Sequence, residues 1–293
     1  MSDTINVKHF ANIGDAVAAL AGVKKYWELT GNRVIFCQQI DVRGTYYSGA
    51  THPTKDIEGN EVMCNRKMFD MIKPLILCQE YIADVQIYNG QEVGLKNGKL
   101  LGIDIDVIRQ KEFVNMPYMA LQSWVFMAYP DMAADLSKAW MDVGEVDISN
   151  CRMKYKGKLS TELFDIKDKA IINFTERYRN HHLNYFFLKN YKDQIIFAGT
   201  EQEYEIFCDK WQLDIPYLIV DDFLQLAYII KHSKFLLSNQ SFAWNLAEAM
   251  KTPRALELCT YAPNCQPFVG EDSYGYLNQV GAVYYFETLM SKK

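Results

Sequence analysis

Residues 235–257, FLLSNQSFAWNLAEAMKTPRALE, constrain the fold more than any other stretch of this chain. An apolar run stops at small polar residues, a helical spacing of Phe242, Leu246 and Ala249 follows, and Pro253 precedes a second apolar run. The pattern predicts strand, turn, helix and strand in succession. In an open α/β sheet, ligands lie outside the carboxyl ends of the strands. A helix starting there aims free N–H groups and a positive dipole end at an anion. A phosphate would sit over Asn239, Gln240 and Ser241. Ser238 or Asn239 equally suits a helix N-cap, the commoner use of such residues, and on this segment alone the cap is favoured.

The sequence has 293 residues, of which 49% are apolar. That length suits two domains of roughly 100–150 residues each, both with room for a packed core. A net charge of −5 argues against a surface basic throughout, though not against a local basic cleft. The seven cysteines are odd in number and scattered, with no C-x-x-C pair and no histidine at ligand spacing, so neither a disulfide framework nor a structural metal site is expected. The first residues do not read as a signal peptide and no apolar run reaches membrane length, which predicts a soluble, cytoplasmic protein.

The opening predicts a βαβ unit: strand 5–10, a tight turn at Asn12 to Asp15, helix 16–29, and strand 33–37. Helix 67–77 and strand 83–88 follow a Gly-, Tyr- and Thr-rich loop at 43–60, and the alternation is expected to continue. Periodicity fades over 142–158, which places a domain boundary there. The second half then reads as strand 170–174, helix 183–190, strand 194–197, helix 202–211, strand 217–220, helix 223–232, strand 234–237 and helix 244–251. Such regular alternation favours parallel sheets. The expected organisation is a first domain over 1–150, a second over 160–275, and a closing helix within 276–293 that packs back on the first domain.

Four places could carry chemistry. Asp15 follows Gly14 in a strand-to-helix turn, where a carboxylate could take a proton from a hydroxyl or simply cap the helix. The lone glycine lacks the G-x-G-x-x-G spacing of a dinucleotide site. Arg177 and Arg179 put two guanidinium forks within three residues, the geometry that matches phosphate oxygens. Gly199, Thr200 and Glu201 end a predicted strand, and a glycine there admits a ring or ribose while Glu201 could bind ribose hydroxyls. Thr200 could equally open a capping box completed by Glu203. Asn239 to Ser241 form the fourth.

Together these motifs resemble one family. Ile13-Gly14-Asp15-Ala16-Val17-Ala18-Ala19-Leu20 is similar to the amino-terminal Gly-Asp turn and Ala/Leu-rich helix of the GT-B glycosyltransferases related to the ADP-heptose:lipopolysaccharide heptosyltransferases (glycosyltransferase family nine). Gly199 to Glu201 and Asn239 to Ser241 resemble that family's nucleotide-sugar turns. The resemblance implies an α/β GT-B architecture, two Rossmann-like domains with parallel sheets facing a central cleft. It implies a heptosyltransferase-like enzyme moving a sugar from a nucleotide-diphosphate donor, as co-substrate, with no other cofactor and no metal. Asp15 would be the base, flanked by Asn12 and Gly14 in the turn or against the acceptor; Arg177, Arg179, Asn239, Gln240 and Ser241 would hold the diphosphate; Gly199, Thr200 and Glu201 would hold the nucleoside. Inversion at the anomeric carbon and domain closure are implied as well.

The chain departs from the family pattern at Gln240-Ser241-Phe242 and Asn245, where Asp-Thr-Gly and a later His are usual, and so looks like a divergent bacterial or phage branch. A glycan or lipid-linked saccharide is the first acceptor implied. A hydroxymethylated DNA base is the alternative, for which Lys24, Lys25, Arg43, Lys55, Arg66 and Lys67 could supply charge. A non-catalytic nucleotide-sugar binding protein is the reading from another class, and an epimerase lacks the paired acids and bases it would need.

Overall fold

The computed structural model describes residues 4–44, 54–96, 99–110, 119–160, 166–268 and 270–292. Part of the Gly-, Tyr- and Thr-rich loop, 45–53, lies outside the described residues. The chain divides into two compact units, Met1–Leu136 with Trp140–Asp142, and Ser137–Ala139 with Val143–Lys293.

The first unit is built on β1 (Thr4–His9), α1 (Ile13–Thr30), β2 (Arg33–Gln38), α2 (Arg66–Leu77), β3 (Ile82–Ile87), β4 (Gly94–Lys96), β5 (Lys99–Asp104) and α3 (Leu121–Ala128). Its sheet runs in the order β3-β2-β1-β5-β4, parallel except for the β4–β5 pair. The chain winds from β1 outward through β2 to β3, then returns to add β5 on the other side of β1. The strand order therefore reverses between β1 and β5. The antiparallel β4–β5 pair interrupts the strict alternation expected after strand 83–88.

Helix α1 is buried continuously from Ala16 to Val23, because small and branched apolar side chains let the sheet and α3 approach it closely. Gly22 sets that approach: a Cβ there would lie 2.7 Å from Val125 Cγ1 on α3. Gly31, with φ 71°, ends the helix in the left-handed conformation that glycine adopts without strain.

The second unit carries β6 (Arg152–Tyr155), β7 (Lys158–Ser160), β8 (Ala170–Asn173), β9 (Ile195–Ala198), α4 (Glu201–Trp211), β10 (Tyr217–Ile219), α5 (Phe223–His232), β11 (Phe235–Ser238), α6 (Phe242–Met250), β12 (Arg254–Glu257), β13 (Ser273–Tyr276) and α7 (Gln279–Ser291). Its sheet order is β13-β12-β11-β8-β9-β10-β6-β7, parallel from β13 to β10 and closed by an antiparallel β6–β7 edge. That edge hairpin occupies the stretch read as a domain boundary, so the second sheet starts earlier than residue 160. The order reverses between β8 and β11. Strands β8, β9 and β11 are buried on both faces, as their apolar runs predict, and β12 is buried as well although it carries Arg254 and Glu257.

Two expectations are corrected. Residues 183–190 do not form an α-helix; a succession of 3-10 turns spans Phe186–Gln194, with only Leu188 buried. Tyr185, just before it, is fixed through its hydroxyl to Glu257 and Tyr276, and its φ of −120° and ψ of 19° lie outside the helical region. The closing helix α7 places Ala282, Phe286 and Leu289 on its own sheet, packing on β12 and β13 and meeting Phe187, Tyr191 and Phe235 edge-on. Its buried face packs on the sheet of the second unit. No helix among the described residues is long and apolar enough to cross a membrane.

Candidate active site

In doubly wound sheets the crevice at the point of strand reversal, outside the carboxyl ends, is where ligands bind. The first unit brings a chain of charges to that place. His9 is the last residue of β1, Asp106 lies just beyond β5, Arg109 sits in the 3-10 turn Val107–Gln110, and Asp15 lies in the first turn of α1. His9 Nδ1 is 2.8 Å from Asp106 Oδ2, Arg109 Nε is 2.8 Å from Asp106 Oδ1, and Arg109 Nη2 is 3.3 Å from Asp15 Oδ1. Asp106 Oδ2 also accepts the Phe10 N–H at 2.7 Å.

The buried end of this chain favours a charged imidazole. His9 Nε2 stands 3.2 Å from the Asn12 carbonyl and Nδ1 2.8 Å from Asp106 Oδ2, so each ring nitrogen faces an oxygen that accepts, although the angle at Nδ1 falls short of a hydrogen bond. Burial by itself opposes the imidazolium, but the adjoining Asp106 carboxylate outweighs it and the His9 pKa is raised above its ordinary value. Burial likewise opposes the Asp106 carboxylate, and His9 and Arg109 hold its pKa far below the usual range. Toward solvent the chain opens out: Asp15 is 14% exposed, against 1% for His9. Asp15 Oδ2 bonds to no described residue. Arg109 lies over the Trp124 ring at 4.3 Å, which fixes the plane of its fork.

Of the other turn residues, Asn12 is the N-cap of α1 by its backbone alone, without a side-chain cap. Gly14 is already helical and does not use a positive φ, so the close backbone bend expected of it is not what it provides.

The second unit treats its predicted residues differently. Arg177 and Asn239 come together across the β8–β11 reversal: Asn239 Oδ1 accepts from Thr175 N at 3.0 Å, and its Nδ2 donates to the Thr175 and Arg177 carbonyls at 3.0 and 2.6 Å. Asn239 is thus a buried peg that fixes the loop carrying Arg177. Gln240 donates to the Ala262 carbonyl and to Asn264 Oδ1, both at 2.8 Å, and Ser241 is the N-cap of α6, accepting from Trp244 N at 3.2 Å. The side chains read as diphosphate ligands are therefore committed inward. In the first turn of α6, Phe242 and Ala243 N–H have no partner within the helix.

Arg179 is also corrected. It is buried, 3.1 Å by Nε from Glu257 Oε1, and covers the Phe174 ring at 4.8 Å. A guanidinium neutralised inside the core is not a diphosphate fork. Arg177 differs: half-buried, beside the Tyr178 ring at 5.7 Å, and in no ion pair among the described residues.

At the end of β9, Thr200 caps α4 in a reciprocal box with Glu203, and Glu201 is exposed and paired with Lys154 at 2.7 Å. A Cβ at Gly199 would lie 2.9 Å from Phe197 Cε1 and 3.2 Å from Asn173 Nδ2 and Glu203 Oε2, so the glycine is required by packing. Gly199→Ala is expected to cost about 1–3 kcal/mol through overpacking. A chemical-denaturation midpoint equal to that of the parent would refute this.

Sequence reading missed His9, Asp106, Arg109 and Glu257. The signals were present. The run Ile103 to Asp106 alternates Ile with Asp, which puts Asp104 and Asp106 on one face, and Glu257 interrupts an apolar strand where a carboxylate needs a buried partner.

No protein-family model matches the chain, and no curated protein sequence does. Solved structures do. The glycosyl transferase family 9 protein from Veillonella parvula DSM 2008 aligns at a TM-score of 0.57 with 8% identity, over 98% of this chain and 97% of its own. The E. coli ADP-heptose lps heptosyltransferase II gives 0.50 and 9% over 98% of both chains, and E. coli heptosyltransferase WaaC with ADP gives 0.50 and 8% over 98% and 96%. The chain has the GT-B fold. At these identities the likeness is one of architecture, shared nearly end to end. Among the described residues, Asp15 in the first unit has a carboxylate oxygen without a partner, and Arg177 in the second is in no ion pair.

The basic residues considered for a DNA acceptor are largely engaged. Lys25 pairs with Glu28, Lys55 with Glu61 and Arg66 with Asp70, at 3.8, 3.0 and 2.9 Å. A phosphate backbone would have to displace those carboxylates.

Proposed function

We propose that this protein is a metal-independent, inverting glycosyltransferase that moves a sugar from a nucleoside diphosphate to an acceptor hydroxyl. The observation that carries the reading is Asp15, a carboxylate at the strand reversal of a GT-B unit with one oxygen held by Arg109 and the other bonded to no described residue. In the reaction, Asp15 takes the acceptor proton as the acceptor oxygen bonds to the anomeric carbon from the face opposite the diphosphate. The bond from that carbon to the diphosphate oxygen breaks, and the electron pair leaves with the nucleoside diphosphate. Arg177 and the first N–H groups of α6 would stabilise the charge that develops on the leaving oxygen.

A nucleoside diphosphate donor is supported by the neighbour solved with ADP, and a glycan or lipid-linked acceptor by the lipopolysaccharide heptosyltransferase among the neighbours. Glu201 remains the proposed ribose contact, with its exposed Lys154 partner easily displaced.

The test is release of nucleoside diphosphate from ADP-heptose, ADP-glucose and UDP-glucose, together with calorimetric titration of ADP and UDP. Arg177→Ala is expected to weaken binding of the better nucleotide roughly 10- to 100-fold, the value of one or two charge-assisted hydrogen bonds. Its melting temperature should match the parent, since no described ion pair is lost. Equal affinity in the variant, or no binding of either nucleotide to the parent, would refute the donor site.

A further inference from the structure

We propose that His9, as a buried imidazolium, is a positioning residue for Asp15, acting through Asp106 and Arg109. The inference rests on Asp15 being the base. The four side chains form a line of alternating charge, His9⁺, Asp106⁻, Arg109⁺, Asp15⁻, whose sum is zero only while His9 keeps its proton.

The two middle links, Asp106 and Arg109, are each held from both sides. Asp106 uses Oδ1 on Arg109 and Oδ2 on His9 and the Phe10 N–H. Arg109 is bound edge-on by Nε and Nη2 and pressed flat on Trp124. Of the four side chains, Asp15 has a carboxylate oxygen bonded to no described residue, and the line determines where that oxygen stands.

Loss of the His9 proton would disturb this geometry in a definite direction. One ring nitrogen would then present a lone pair to Asp106 Oδ2 or to the Asn12 carbonyl. Asp106, no longer compensated, would draw Arg109 toward itself and away from Asp15. The charged groups around His9 are Asp106 and Arg109 beyond β5 and Asp15 on α1; the Lys8–Asp104 pair closes the adjoining rung at 3.0 Å, and β2 offers only the Phe36 ring at 6.0 Å. Among the described residues, Arg109 would then be the one positive charge left beside Asp106.

The sign of the pH effect follows. The folded pKa of His9 lies above its unfolded value, so the imidazolium and its contribution are complete below the unfolded pKa and are lost as pH rises through the folded one. Turnover should therefore fall on the alkaline side through a single group, and His9→Gln, which has no proton to lose there, should lack that limb.

The experiment uses the full chain with labelled histidine and aspartate. Long-range proton–nitrogen correlation should show both His9 ring nitrogens protonated at pH 7, and Asp106→Asn should return the ring to a neutral tautomer. In His9→Gln the Asp15 carboxyl carbon resonance should move, and nucleoside diphosphate release from the same three nucleotide sugars should fall roughly 10- to 100-fold in kcat, as for an ångström-scale displacement of a reacting group, with KM within about twofold. A neutral His9 in the parent at pH 7 overturns the proposal, as does a His9→Gln protein with an unmoved Asp15 resonance or with native kcat and pH profile. The resonance measurements need no turnover, so absence of any transfer would count against the glycosyltransferase reading while they still decide the relay. Should Asp106→Asn fail to fold by circular dichroism, His9→Gln, which keeps one N–H donor, carries the comparison.

Discussion

Asp15→Asn is expected to lower turnover about 10²- to 10⁴-fold while leaving nucleoside diphosphate affinity unchanged, the loss typical of removing a positioned general base. Asparagine has the shape of aspartate and can still accept from Arg109 at the position Oδ1 now occupies, 3.3 Å from Nη2. The geometry is kept and the proton acceptor removed. Calorimetric titration with ADP or UDP and diphosphate-release kinetics would separate the two effects. Turnover within threefold of the parent would show that the proton leaves by another route, and parallel loss of nucleotide affinity would mean that Asp15 touches the donor rather than the acceptor. The non-catalytic reading predicts no change in either quantity.

Glu257→Ala should be the most damaging single change to stability in the second unit. The carboxylate is fully buried at the end of β12, paired with Arg179, and it accepts from Asn180 N and Tyr185 OH. Truncating it strands a buried guanidinium and two buried donors, a loss of about 3–5 kcal/mol. For a unit of this size that is a fall in melting temperature of roughly 10 °C. Glu257→Gln should fall between, because the amide oxygen still accepts but the charge is gone. The decisive control is the double variant Glu257→Ala with Arg179→Met, expected to be more stable than Glu257→Ala alone, since the isolated charge is then removed. A double variant no better than the single would place the cost in the Asn180 and Tyr185 bonds. The loop held this way also carries Arg177, so partial unfolding there should weaken nucleotide binding in step with the loss of stability.

These two variants also mark where sequence reading worked. Most strand and helix positions were legible because parallel strands buried on both faces give apolar runs, and because Thr200 sits where a helix begins and accepts its first N–H; α6 is capped by Ser241, not by the Ser238 or Asn239 expected. Asp15 was legible as a carboxylate in a strand-to-helix turn. Its partners were not, since Asp106 and Arg109 lie more than ninety residues along the chain and reach Asp15 only because β5 pairs with β1 in the register Lys8↔Asp104. The arginine pair failed for a related reason. Two forks in three residues look equivalent in a string, but alternate residues of an irregular loop can face opposite ways, and one met Glu257 while the other did not.

The sequence by itself determined the two α/β units, the order of their strands and helices along the chain, and the placing of small polar residues at strand ends, because these follow from local periodicity and capping preferences. Tertiary structure alone decided which polar groups stay available. Asn239, Gln240, Ser241 and Arg179 were drawn into internal bonds because a buried donor or acceptor left without a partner costs more than a ligand contact would return. Asp15 and Arg177 keep unsatisfied capacity among the described residues because the strand orders of their sheets reverse beside them, and a reversal leaves a crevice at the strand ends.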